Sequence, residues 1–181
     1  NFGNICAGIM AKKLGIPIQH FIASTNANRV VPNFMKNGIY QPMKSVATIS
    51  NAMDVGDPSN FIRIREIYEH DFESIKNDLS SYSYTDEQTR SAMTHVFNTT
   101  NYMLDPHGAV GYLGLKRFLS ENPDTQGIFL ETAHPVKFLD VVEPLIRQKI
   151  DIPDQIKNVM DKPKAALKIS DYSDLKRFLI V

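Results

Sequence analysis

The residues that decide the fold are NFGNICAGIMAKKL at positions 1–14 and IPIQHFIAS at positions 16–24. The first stretch predicts a helix, with Gly15 as its C-terminal stop. The second stretch is mostly apolar and predicts a strand that is buried on both faces. A short helix is expected over 32–36, with Gly38 as its stop. This order of helix, strand and helix predicts an α/β fold with a mostly parallel sheet flanked by helices.

Further helices are predicted wherever apolar residues recur at helical spacing behind a capping residue or a proline. They are expected to begin near Asp57, Phe72, Thr85, Gly108 and Pro135, with Asp57 and Thr85 as N-caps. Short strands are predicted over 45–49 and 127–130, and residues 80–84 are predicted to form a break. We expect residues 1–150 to belong to one domain. Residues 151–181 are expected to be a helical tail that packs on it and ends in a helix over 173–179.

The composition is typical of an ordinary globular protein, with 43% hydrophobic and 22% charged residues. The formal net charge is zero, so we expect neither a nucleic-acid partner nor an anionic membrane surface. The single cysteine, Cys6, excludes an internal disulfide and is typical of a reducing compartment. No uninterrupted apolar run approaches the ~20 residues of a membrane span. We therefore expect a cytoplasmic protein in which Cys6 packs in the core.

The opening loop, Asn1, Phe2, Gly3 and Asn4, leads directly into a predicted helix. Backbone N–H groups at a helix N-terminus lack intrahelical partners and carry the positive end of the dipole, so this arrangement favours anion binding. Glycine lets a backbone approach an anion closely or adopt positive φ. Because a chain rarely begins at such a loop, we expect a fragment with part of its site upstream.

Polar segments follow two of the predicted strands, at residues 25–28 and 132–134. Ligands of open parallel sheets bind outside the carboxyl ends of the strands. The opening loop is expected at the same edge, so these segments predict a composite site for a phosphate-bearing ligand and a hydroxyl-bearing partner.

Five segments of the sequence resemble threonine synthase, a pyridoxal-phosphate enzyme with the tryptophan-synthase-β-like fold (fold type II). They occur in the order and at the spacing of that family. The segments are NFGN at 1–4, TNAN at 25–28, SNAMDVGDPSN at 50–60, DPHGAVG at 105–111 and TAHPVKF at 132–138.

The resemblance implies a lyase of threonine biosynthesis that converts O-phospho-L-homoserine and water into L-threonine and phosphate. It implies that Asn1, Phe2, Gly3 and Asn4 hold the phosphate of pyridoxal 5'-phosphate and that Thr132 contacts its pyridine nitrogen. The family's Schiff-base lysine lies upstream, so no catalytic residue is expected here. The fragment alone is expected to be inactive without the N-terminal half of the enzyme. Residues 1–150 would then be the C-terminal portion of the large cofactor-binding domain.

Three more residues have alternative interpretations. His107 and His134 either orient local turns or line the site, and Lys137 is either a solvated surface lysine or a site residue. Asp54 and Asp57 are interpreted as turn and capping residues, and no metal site is expected because no His or Cys lies nearby.

Two other functions stay open at this point. Another fold type II lyase, such as a threonine dehydratase or a sulfhydrylase-type enzyme, would use the same cofactor loop. The chain could instead be a non-catalytic anion- or cofactor-binding module.

Overall fold

The structure is a computed structural model that describes residues 1–160 and 162–180. Short 3-10 helices span Asn51–Met53 and Pro135–Phe138. The strands are β1 (Phe21–Thr25) and β2 (Leu79–Ser83). The α-helices are α1 (Gly3–Lys13), α2 (Val30–Asn37), α3 (Ser59–Ile67), α4 (Phe72–Asp78), α5 (Asp86–Thr100), α6 (Pro106–Glu121), α7 (Leu139–Ile146), α8 (Asp154–Met160) and α9 (Tyr172–Leu179).

The two strands pair in parallel, with Phe21 opposite Leu79 and Thr25 opposite Ser83. A parallel pair needs a long crossover, because the chain must return to the same end of the sheet. Here the crossover contains α2, α3 and α4. The predicted α/β class with a parallel sheet flanked by helices is confirmed.

Side chains of β1 alternate between two layers of helices. Ser24 and Ile22 face α6, where a Cβ added to Gly114 would lie 3.1 Å from Ser24 Cβ and 3.3 Å from Ile22 Cγ2. The missing side chain therefore lets α6 approach the strand closely. Ala23 faces the other way, into a core built from α1, α2, α3 and α4, which contains Cys6, Ile9, Val31, Phe34, Phe61, Ile64, Tyr68, Ile75 and Leu79.

A second cluster of buried residues joins α5, the start of α6 and α7. It contains Met93, Val96, Leu104, Ala109, Phe138, Val142 and Ile146. The buried faces of α5 and α7 match the predicted apolar stripes. The prediction that Cys6 packs in the core is also confirmed, since its exposed fraction is 5%.

Local capping signals correctly predicted several helix ends. The Thr85 side chain accepts a hydrogen bond from Gln88 N, and the Gln88 side chain accepts one from Thr85 N, which completes a capping box at α5. Gly15 and Gly38 follow α1 and α2 with positive φ values of 102° and 73°. These glycines end their helices without the penalty that a Cβ would impose.

The predicted break at 80–84 is wrong, because residues 79–83 form β2. Its sequence, LSSYS, carries mostly small polar side chains and gives little strand signal. The strand forms through pairing with β1, and Ser81 Oγ adds a hydrogen bond to Ala23 O at 2.8 Å.

The predicted strand over 45–49 is also wrong, because side chains satisfy its backbone. Val46 N donates to Asn28 Oδ1, and Thr48 N donates to Asp54 Oδ2. Ile49 N lies 3.3 Å from both carboxylate oxygens of Asp86. These N–H groups are thus bound without a neighbouring strand.

Three other sequence predictions need correction. Residues 127–130 form no strand, and Ile128 is 90% exposed. Pro58 rather than Asp57 is the N-cap of α3, while Asp57 accepts a hydrogen bond from the Tyr40 hydroxyl. The first predicted strand begins at Phe21 instead of residue 16.

The chain divides into two compact units, Asn1–Ile150 and Asp151–Val181. The second unit contains α8 and α9, and α9 confirms the helix predicted over 173–179. The Asp171 side chain accepts a hydrogen bond from Asp174 N at its start. Among the described residues, no helix has the length and apolar character needed to cross a membrane.

Candidate functional site

A buried polar network lies at the carboxyl end of β1. Asn26 is 1% exposed and Asn28 is 3% exposed. The Asn26 Nδ2 group lies 2.8 Å from Asp54 Oδ1 and 3.0 Å from Ser50 Oγ, while Asn28 Nδ2 donates to Asp54 Oδ1. Asp54 is therefore a hydrogen-bond acceptor that ties the 46–54 loop to β1, which fits its interpretation as a turn residue.

His107 uses both ring nitrogens within the chain. Its Nε2 accepts a hydrogen bond from Ala52 N at 3.2 Å, so its Nδ1 carries the proton and donates to Asp105 Oδ1 at 2.7 Å. These partners fix a neutral tautomer. His107 thus fastens the turn Asn51–Met53 to the start of α6, which matches the orienting alternative.

Asp105 caps α6 with a fully buried carboxyl group. Its Oδ1 accepts from His107 N at 2.8 Å. Burial opposes the charged form, but the hydrogen bonds from the ring and the backbone N–H of His107 outweigh it and hold the pKa of Asp105 below its ordinary value. A charged carboxylate at a helix N-terminus also interacts favourably with the dipole.

Glu131 is a residue that the sequence interpretation missed. Its Oε1 accepts a hydrogen bond from Asp105 N at 3.2 Å. Burial, followed by the negative charge of Asp105, raises the pKa of Glu131 to about 8. The available signal in the sequence was a carboxylate between an apolar run and the polar segment 132–134. The sequence does not reveal its partner, Asp105, which lies 26 residues away.

The start of α1 presents unpartnered backbone donors. Phe2 is the N-cap with φ 60°, and its carbonyl accepts from Cys6 N. Within the described chain, the N–H groups of Gly3, Asn4 and Ile5 have no hydrogen-bond partner. Phe2, rather than Gly3, adopts the left-handed conformation, so of the two roles open to Gly3 only the close approach of an anion is left.

The remaining candidates, Thr132, His134 and Lys137, are all exposed. His134 Nδ1 accepts a hydrogen bond from Val136 N at 3.2 Å and so caps the 3-10 helix Pro135–Phe138. This contact supports a turn-orienting role for His134. Among the described residues, the Thr132 hydroxyl has no hydrogen-bond partner.

Direct hydrogen bonds connect four of the five predicted segments in pairs. Asn1 Oδ1 accepts from Ser59 Oγ, which joins 1–4 to 50–60. Asn26 joins 25–28 to 50–60, and His107 joins 50–60 to 105–111. The last segment, 132–138, packs on 105–111 through the Phe138 and His107 rings, whose centroids lie 4.8 Å apart, and its neighbour Glu131 accepts a hydrogen bond from Asp105 N. Within the described residues, no hydrogen bond connects Thr132 directly to residues 1–4.

A groove of about 460 Å³ lies elsewhere, between α6 and residues 127–129. Its lining is mainly apolar and includes Tyr112, Leu115, Leu119 and Phe129. None of the predicted site residues lines it, so this groove is separate from the candidate site.

The chain is similar to threonine synthases. The family model described as "Threonine synthase, C-terminal" matches residues 108–179. Threonine synthase from Buchnera aphidicola subsp. Acyrthosiphon pisum is 42% identical over 181 residues, an alignment that covers 99% of this chain and 41% of the relative.

Solved structures show the same relationship. The crystal structure of threonine synthase from Escherichia coli superposes with a TM-score of 0.86 at 36% identity and covers 99% of this chain and 41% of that one. The PLP-bound threonine synthase from Brucella melitensis gives 0.79 at 26% identity, with 91% and 40% covered. The chain thus spans about 41% of the length of the E. coli protein.

Proposed function

We propose that this chain, a member of the threonine synthase family, supplies the C-terminal part of an enzyme that converts O-phospho-L-homoserine and water into L-threonine and phosphate. The observation that carries the proposal is that the five resembling segments contact one another: hydrogen bonds connect the first four, and the fifth packs on the fourth through the Phe138 and His107 rings. Segments that formed only local turns would not need contacts with the other segments. The lysine that attaches the cofactor in this family is expected outside these 181 residues.

Pyridoxal phosphate fits the groups at the start of α1. The free N–H groups of Gly3, Asn4 and Ile5 suit the phosphate, since a helix N-terminus offers both donors and a favourable dipole. Asn1 and Asn4 are exposed beside these donors, and Phe2 sets the backbone direction through its left-handed conformation. We propose that residues 1–4 hold the phosphate.

Thr132 suits the pyridine nitrogen, because its exposed hydroxyl has no partner in the described chain and can donate or accept. When bound, the cofactor supplies an electron sink for negative charge that develops on the substrate. A neutral hydroxyl stabilises a protonated ring nitrogen less than a carboxylate would. Thr132 therefore orients the ring without enforcing its protonation.

His107, His134 and Lys137 receive different roles under this proposal. His107 positions the Asn51–Met53 turn, because both of its ring nitrogens are already engaged. His134 orients the turn after Thr132 through Val136 N. Lys137 lies in the 3-10 helix that follows and is exposed to solvent, where it can attract the anionic substrate.

We also propose a cytoplasmic location. The support is chemical: Cys6 is the single cysteine of the 181 residues and is buried as a free thiol. Such cysteine use is typical of reducing compartments.

The activity is tested with the complete gene product and added pyridoxal phosphate. Incubation with O-phospho-L-homoserine should release phosphate and form threonine in equal amounts. Formation of a keto acid from threonine, without any threonine synthesis, would instead identify a dehydratase. Cofactor binding with neither reaction would identify a non-catalytic module.

Thr132→Val in the same protein should lower kcat by about tenfold, with a smaller loss of cofactor affinity, because one hydrogen bond to the ring is removed. Thr132→Ser restores the hydroxyl and is the matched control. Equal kinetics for the Val and Ser variants would remove Thr132 from the site.

A further inference from the structure

Two carboxyl groups and an imidazole are packed together at the start of α6. Asp105 Oδ1 accepts from the backbone and the ring of His107, and Glu131 Oε1 accepts from Asp105 N. One oxygen of each acid is left over. Asp105 Oδ2 and Glu131 Oε2 are buried without a hydrogen-bond partner in the described chain.

The position of the Glu131 carboxyl is built into α6. A Cβ added to Gly108 would lie under 3.0 Å from Oε1, Oε2 and Cδ of Glu131, so only glycine leaves room for this group. Gly108 lies in the first turn of the helix that Asp105 caps. The acid pair therefore occupies a space that the helix provides, rather than a solvent-facing surface.

Two buried carboxylates side by side cannot both remain charged at low cost. His107 donates to Asp105 and stabilises its charge, whereas burial and the neighbouring Asp105 raise the pKa of Glu131 to about 8. Asp105, and His107 behind it, are the titratable groups that face Glu131 from α6. At neutral pH the pair thus holds one proton, on Glu131, which it can donate to Asp105.

We propose that Glu131 is a positioning residue whose protonated carboxyl bridges to Asp105 and thereby fixes the adjacent Thr132 hydroxyl relative to the start of α6. The inference rests on the proposed function for the role of Thr132. Loss of the proton would place two carboxylates against each other and release the 131–134 segment. The enzyme should then lose turnover on the alkaline side as Glu131 ionises.

The kinetic test uses the complete gene product with bound cofactor. Glu131→Ala should lower kcat by about tenfold or more, with a smaller change in KM for O-phospho-L-homoserine, because an imprecisely held group costs rate more than binding. Glu131→Gln keeps the size of the side chain and a donor, so it should recover most of the lost kcat. It should also abolish the decline near pH 8, since an amide does not titrate.

Glu121→Gln, at the exposed C-terminal end of α6, is the control and should leave kcat and its pH profile unchanged. A wild-type pH profile in Glu131→Gln, or unchanged kcat in Glu131→Ala, would overturn the proposal.

A direct measurement does not depend on activity. With ¹³C-labelled glutamate, the Glu131 Cδ signal, assigned from its absence in Glu131→Gln, should titrate near pH 8. Titration in the range of ordinary exposed glutamates would overturn the proposal that the acid pair holds a proton on Glu131 at neutral pH. If the wild-type protein makes no threonine, the proposed function fails, while this titration still reports on the acid pair. The measurement also remains decisive if Glu131→Ala does not fold.

Discussion

Gly108→Ala is expected to destabilise the protein, although alanine favours helices over glycine. The new Cβ would overlap the Glu131 carboxyl, which must then move out toward solvent. Asp105 N would lose its acceptor, and a buried unsatisfied donor lowers the free energy of unfolding by about 1–3 kcal/mol. The gain in helix propensity returns up to about 1 kcal/mol. We therefore expect a net loss of about 1–2 kcal/mol, or about 2–8 °C in Tm for a chain of this size.

Gly111→Ala is the matched control in the same helix. Its Cβ would meet Phe129 Cβ at 3.7 Å, which is ordinary van der Waals contact, so this variant should be neutral or more stable by up to about 1 kcal/mol. Urea unfolding followed by circular dichroism measures both variants. Combining Gly108→Ala with Glu131→Ala should remove the steric term, and the two effects should then not add. Equal stability of Gly108→Ala and Gly111→Ala would refute the assigned position of Glu131.

Three further measurements address other contacts. Gly114→Ala should cost about 1–2 kcal/mol in thermal unfolding, because its Cβ overlaps the Ser24 hydroxyl under α6 and the gain in helix propensity offsets only part of that overlap; an unchanged Tm would contradict that packing. Thr85→Ala should lower the free energy of unfolding by about 1 kcal/mol through loss of the capping box, while Thr85→Ser should retain it in the same urea titration. Raising the pH from about 5 to about 9 should lower stability by roughly 1–3 kcal/mol, because the pKa of Glu131 in the fold, about 8, lies above 4.5 and its contribution disappears as it deprotonates. Glu131→Gln should flatten the pH dependence of stability. An equally steep pH dependence in the variant would show that other titrating groups cause it.

Features encoded within a few neighbouring residues were predictable from the sequence. The capping box at α5 needs only Thr85 and Gln88, and the ends of α1 and α2 need only a glycine that tolerates positive φ. Elements that depend on distant partners were not predictable. The β2 sequence becomes a strand through its pairing with β1. The 45–49 segment does not form a strand, because its N–H groups donate to the side chains of Asn28, Asp54 and Asp86.

The same distinction applies to the candidate site. The polar segments could be identified one by one, because each is a compact run of turn-forming and hydrogen-bonding residues. The contacts between these segments could not be identified from the sequence, since Ala52 and His107 are 55 residues apart and Asp105 and Glu131 are 26 residues apart. Glu131 was missed for this reason: an isolated glutamate reads as a surface residue until its buried partner is known.

The parallel pairing of β1 and β2 also has a consequence for folding kinetics. The hydrogen bond from Ser81 Oγ to Ala23 O closes a loop of 58 residues, and Asn1 and Ser59 are equally far apart along the chain. Ordering so long a loop costs entropy before the contacts it permits can form. Helix α5, by contrast, nucleates from its own capping box. We therefore expect the helices to form early during refolding and the sheet edge that carries the polar segments to assemble in the slow, rate-limiting step.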